Sequence, residues 1–175
     1  MPAFDATTAK CLVYAYKEGL LSAVGHDVLL KVGTFAVQAE PGSVTATFDA
    51  GSLAVVCAMR DGAQNPGALS DKDKRTIEGY VREDILHARR YPKIAFRSTA
   101  IEAEDDEWWV DGELELHGRK RAVRARISRR AEEVVTKVRL HQPDFGITPF
   151  RALMGTLRIQ PHVDVELVVP RSALG

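Results

Sequence analysis

Residues 84–98 read Asp-Ile-Leu-His-Ala-Arg-Arg-Tyr-Pro-Lys-Ile-Ala-Phe-Arg-Ser. An apolar stripe at helical spacing, Ile77, Val81 and Ile85, runs into this stretch and stops. Tyr91-Pro92 follows, and a period-two pattern begins at Ile94. Proline has no N–H to donate and cannot extend a helix. The stretch is therefore a junction at which a helix ends and a strand starts.

Working outward, Ser70 is placed to cap that helix, with Asp71 and Asp73 in its first turn, where carboxylates meet the positive helix end. The helix is expected to reach about Leu86, with Glu78 and Arg82 as an i,i+4 pair. Before it, strands are expected at 10–16, 28–37 and 44–48, with Pro41-Gly42 turning between the last two and a loop over 60–68. After it come strands at 94–101, 108–116, 122–127, 134–140 and 157–169. Asp105-Asp106 and His117-Gly118 mark tight turns, and residues 142–155 form a long loop. The pattern predicts a mainly all-β chain: an eight-stranded antiparallel β-barrel with one inserted α-helix, as a single domain over residues 1–175.

The strand faces support this. Leu157, Ile159, Val163, Val165, Leu167 and Val169 share one face, and Arg158, Gln160, His162, Asp164 and Glu166 the other. Trp108, Val110, Leu114 and Leu116 oppose Asp111, Glu113 and Glu115; Val123, Ala125 and Ile127 oppose Arg124 and Arg126. Each strand has one dry and one wet face, as a barrel requires. Ala36, Ala46, Gly112, Ala125, Ser98 and Ala100 are small residues assigned to the dry side. An eight-stranded barrel is either filled by side chains or holds one ligand. Small inward residues favour the hollow form, and the filled form stays open.

The composition excludes several classes. The chain has 175 residues, with 24 Lys+Arg balanced by 24 Asp+Glu. A net charge of zero supplies no field to draw nucleic acid or an anionic membrane surface. No apolar run approaches the ~20 residues that span a bilayer. The N-terminus, Met-Pro-Ala-Phe-Asp, has neither a basic nor an apolar signal region, so a cytoplasmic location is expected. Cys11 and Cys57 share no metal or redox spacing and are expected to be reduced thiols.

No catalytic motif emerges. The five histidines (His26, His87, His117, His141, His162) never occur at H-x-H or H-x-x-x-H spacing. His87, His117 and His162 are expected to be structural or solvated. Asp144-Phe145-Gly146 spells a kinase tripeptide, but the glycine loop and catalytic loop that would accompany it are missing. It is read as a turn, with Gly146 at an unusual φ and Phe145 packed inward. The basic run Arg119, Lys120, Arg121, Arg124, Arg126, Arg129 and Arg130 is expected on a solvated face, paired with acids such as Glu113 and Glu115. The expectation is thus no enzyme, no cofactor and no metal. The exception to test is His26-Asp27, where an adjacent base and acid could orient a metal or a ligand head group.

Four segments together resemble the YceI-like family of lipocalin-like, polyisoprenoid-binding barrels. They are Asp84–Ser98, Val110–Gly118 with Arg119–Val123, Asp144–Ile147 and Val163–Val169, spread over Tyr80–Val169. Residues 10–56 match less closely: Glu18 stands where many members have His, and Gly25–Lys31 is additional before Gly33-Thr34-Phe35. Many members carry a signal peptide. The resemblance implies storage or transport of a long apolar lipid, such as a polyisoprenoid, fatty acid or amide, in a hollow barrel. On that reading the ligand contacts are Phe35, Ala46, Phe48, Ile94, Phe96, Val110, Leu114, Ala125, Val138, Leu140, Phe145, Phe150 and Met154. Phe145, Phe150, Leu153 and Met154 would form a lid. A filled, non-catalytic structural or stress-associated protein is the alternative. A homodimer through a strand face is a further expectation.

Overall fold

The computed structural model describes residues 2–18, 26–152 and 157–174. Thirteen strands among them form one antiparallel sheet. They are β1 (Ala3–Asp5), β2 (Lys10–Glu18), β3 (Asp27–Val32), β4 (Phe35–Glu40), β5 (Ser43–Asp49), β6 (Leu53–Arg60) and β7 (Ala63–Asn65), followed by β8 (Lys93–Glu104), β9 (Glu107–Leu116), β10 (Arg119–Arg129), β11 (Glu133–His141), β12 (Arg151–Ala152) and β13 (Leu157–Pro170). The path runs β1-β4-β5-β8-β9-β10-β11-β13-β2-β3-β6-β7, with β12 paired beside β13.

The expected eight strands become thirteen for two reasons. The strand expected over 28–37 breaks at Gly33-Thr34 into β3 and β4. Four further segments, β1, β6, β7 and β12, were not anticipated. The sheet curls into a barrel-like wall, but its end strands β1 and β7 are not paired to each other among the described residues.

At that seam, hydrogen bonds between connections replace a ladder. Gly33 N–H donates to the Ser52 carbonyl, Thr34 N–H to Ser52 Oγ, and Asp49 N–H to the Thr34 carbonyl. The helix completes the seam. Arg82 donates from Nε (3.1 Å) and Nη2 (2.8 Å) to the Leu53 carbonyl on β6. Its expected i,i+4 partner Glu78 lies at 3.5 Å.

Helix α1 (Asp71–Gly79) starts as the sequence predicts. Ser70 Oγ accepts from Asp73 N–H while Asp73 accepts from Ser70 N–H, a reciprocal capping box. Residues Tyr80–Ile85 then widen into a π-helical turn, in which Leu86 N–H reaches back to the Val81 carbonyl. The segment ends at His87, which takes a left-handed φ of 46°. Ala50 N–H donates to the Pro92 carbonyl, fixing the junction to the end of β5.

The expected face alternation holds along β9, β10 and β13, with two exceptions among the small residues. Ala36 is exposed, because Phe35 and Val37 take the inward positions of β4. Ala100 is exposed because a bulge between Ser98 and Ala100 shifts the register against β9. Of the basic run, Lys120, Arg124 and Arg126 lie on the outer face as expected, while Arg119, Arg121 and Arg129 alternate onto the side of Val123, Ala125 and Ile127 and are exposed towards the two ends of β10. Lys120 reaches the expected Glu113, while Arg124 pairs with Asp111 opposite it on β9 and with Glu102 on β8, and Arg126 pairs with Glu107.

Candidate functional site

The curled sheet encloses a hollow of about 470 Å³. This is within the ~300–1,000 Å³ typical of small-molecule pockets. The interior is therefore not the filled core of the alternative reading. Its wall draws on β2–β6, β8–β11 and β13, and its cover is Ile77, Tyr80, Val81, Ile85 and Leu86 from the helix. The Tyr80 ring meets Phe150 at 4.9 Å, so the cover also touches the segment before β12. That segment is tied back to the wall by the Ile159 N–H, which donates to the Phe150 carbonyl.

Ala46, Phe48, Ile94, Phe96, Val110, Leu114, Ala125, Val138, Leu140, Phe145 and Phe150 all line this hollow. Phe35 does not. It is buried and stacks on Phe48 at 6.0 Å, behind the wall rather than on it. Phe145 is not a loop residue either. It sits 2% exposed at the end of the 3-10 turn Gln142–Phe145, which closes on Gly146 at a φ of 69°. Leu153 and Met154 lie outside the described residues. The sequence reading missed the inward residues of β2 and β3 (Val13, Ala15, Val28, Leu30) and the helix cover. The helical stripe Ile77-Val81-Ile85 was the available signal for the cover.

Among the described residues, no Lys, Arg, Asp or Glu lines the hollow. The polar groups on its wall are few: His26 at the rim, Thr136, Gln142, the Tyr80 hydroxyl and the Cys11 thiol. Burial pushes the Cys11 thiol up to about 12, so it stays neutral and acts as an apolar wall atom. Gln142 is buried, and its amide donates to the Gln160 carbonyl at 3.1 Å. Gln160 in turn donates to the Lys17 carbonyl, joining β11, β13 and β2 at this end.

Asp27 is used structurally, since its carboxylate accepts from Lys17 N–H at 2.8 Å. His26 is exposed beside it, and no group of three His, Cys, Asp or Glu side chains converges among the described residues. Both cysteines are free thiols.

A curled antiparallel sheet around one apolar hollow, closed by a helix, defines a lipocalin-like barrel. The chain belongs to the YceI-like domain family, whose profile matches residues 15–170. The match extends well to the N-terminal side of the four motif segments. Among solved structures, the chain is similar to BcnA of Burkholderia cenocepacia, at 16% identity and a TM-score of 0.66, covering 95% of this chain and 98% of that one. It is also similar to a polyisoprenoid binding domain from Saccharophagus degradans implicated in plant cell wall breakdown, at 12% identity and a TM-score of 0.59, covering 96% and 95%. At these identities the likeness concerns the fold. No curated protein matches the sequence.

Proposed function

We propose that this protein is a non-catalytic carrier that encloses a long apolar lipid with an uncharged head group. The observation that carries the reading is the hollow of about 470 Å³ whose described wall holds no formally charged side chain. Burying about ten methylenes at ~0.8 kcal/mol each yields about 8 kcal/mol. That corresponds to a gross affinity near micromolar, before the costs of association. Apolar lining alone can therefore hold such a ligand, and the absence of a polar motif in the sequence is compatible with binding. A charged head group buried inside would lack a counter-ion and would lose its hydration. The polyisoprenoid binding named for the Saccharophagus domain supports the same class of ligand.

The test is organic extraction of the purified protein followed by mass spectrometry, with uptake of added prenyl lipid as the second arm. A folded protein that yields no lipid and takes up none refutes the proposal. Ala125 supplies the control. It is 8% exposed on the wall, opposite Val110 on β9. Ala125→Trp places an indole across the middle of the hollow and is expected to cut uptake strongly while far-UV circular dichroism stays unchanged. Unaltered uptake would place the ligand elsewhere.

A further inference from the structure

The interior has two apolar clusters. One gathers Val28, Leu30, Phe35, Val37, Ala46 and Val55 with their neighbours; the other gathers Leu114, Leu116, Leu140, Phe145 and Ile147. Three partly buried side chains pack against both: Phe96, Leu86 and Val165. They stand where the two clusters meet, and all three line the single hollow that both clusters border. Phe96 is the bulkiest of the three.

The position of the Phe96 ring depends on a neighbour without a side chain. Gly112 on β9 is opposite Ser98, while Phe96 pairs with Leu114. A Cβ on Gly112 would overlap the Cε2 and Cζ edge of the Phe96 ring and lie 2.5 Å from the Arg97 carbonyl oxygen. The edge of the ring thus occupies space above the glycine that a side chain would otherwise claim. Any residue larger than glycine at 112 drives the ring away from the wall, and the space it would move into is the hollow.

We infer that the Phe96–Gly112 pair is the gauge that sets how long a chain the cavity accepts, by keeping open the passage between the parts of it that the two clusters border. This rests on the lipid-carrier reading and goes beyond it by naming the side chain that selects ligand length. Leu86 belongs to the helical cover and Val165 is small, so neither can divide the hollow as a phenyl ring can. With Phe96 lying on Gly112, a ligand threads past it. With the ring displaced, the chain ends at the ring.

The experiment loads wild type, Phe96→Ala and Gly112→Ala with a series of linear prenols from farnesol upward and reads bound species by native mass spectrometry. Wild type is expected to show a length cut-off. Gly112→Ala is expected to lower it by one isoprene unit, with affinity for the next longer prenol falling roughly tenfold or more. Phe96→Ala is expected to raise it by at least one unit. Contact with the Arg97 carbonyl can prevent Gly112→Ala from folding, and then Phe96→Ala decides alone. An unchanged cut-off in folded Phe96→Ala, with wild type binding normally, overturns the gauge and leaves the carrier reading intact. A wild-type protein that takes up no prenol of any length overturns both.

Discussion

Strand β6 and the helix that follows it are neighbours in sequence and in space, and both bound the hollow, yet they are built on opposite terms. The β3–β6 pair has a buried centre: Leu29 is 1% exposed, Leu30 3%, Cys57 2% and Ala58 0%. Along Asp71–Ile85 no residue is fully buried. The inward stripe of the helix, Ile77, Val81 and Ile85, packs on the core clusters but also borders the hollow, so each side chain is only partly buried. The wall is held by a close-packed core. The cover is held by partly buried side chains, by its ends and by Arg82, which makes it the weaker element.

The strongest way to break this comparison is to cut into the wall. Leu29→Ala removes a fully buried side chain from β3 and is expected to cost about 2–5 kcal/mol. The urea midpoint measures it. A loss below about 1 kcal/mol would show that the wall is no better packed than the cover.

The same contrast explains what the sequence could disclose. Strands β9, β10 and β13 each have one wet face, so Arg124 and Arg126 alternate with Val123, Ala125 and Ile127 and the period is visible. Strand β6, Leu-Ala-Val-Val-Cys-Ala-Met-Arg, has neighbouring residues Cys57 and Ala58 both buried, and its partner β3 carries a bulge between Leu29 and Leu30. A strand dry on both faces shows no alternation and gives no boundary. The helix was legible because Ser70, Asp73 and Pro92 are local signals. Its apolar stripe signalled a buried face, but not where that face docks, because docking depends on Arg82 meeting a carbonyl 29 residues away in sequence. Most of the inward candidates were right in face for the same local reason. Phe35 failed because the right face at the end of a strand still misses the hollow.

A smaller effect is expected at the anchor. Arg82→Ala removes both hydrogen bonds to the Leu53 carbonyl and is expected to cost about 1–2 kcal/mol. The sharper readout is local. Amide exchange should accelerate over residues 71–88, while the β3 and β6 amides keep their protection. Equal acceleration in both regions would mean that cover and wall open as one unit. Ser70→Ala, which removes the cap at the exposed end, is expected to cost about 1 kcal/mol with the same local signature.

The smallest effect concerns the other end of the cover, where it lands on the β9–β10 turn. The His117 ring packs 5.4 Å from His87 and 4.6 Å from Tyr91. Gly118 beside it is required bare: a Cβ there would lie 2.6 Å from the Tyr91 ring. His117 Nδ1 lies 3.1 Å from the Phe145 carbonyl, which can only accept, so Nδ1 carries the hydrogen. The lone pair then sits on Nε2, which is buried without a partner among the described residues. Protonating Nε2 would bury an N–H with no acceptor. Burial accordingly holds the His117 pKa below its ordinary value, with repulsion from His87, Arg119 and Arg90 in the same direction and the Phe145 hydrogen bond opposing. With the folded value depressed, the unfolded chain binds more protons in the window between the two. The stabilisation from this contact is complete above the ordinary histidine value of about 6.5 and is lost as pH falls through the folded value. The urea midpoint of wild type is expected to fall between about pH 7 and pH 5 by more than that of His117→Asn, since asparagine accepts the left-handed φ of 55° without a group titrating there. Amides at 85–88 should lose protection before those of β3. Parallel midpoint curves for the two proteins would show that the cover's landing point does not depend on a neutral imidazole, and that Tyr91 packing alone holds it.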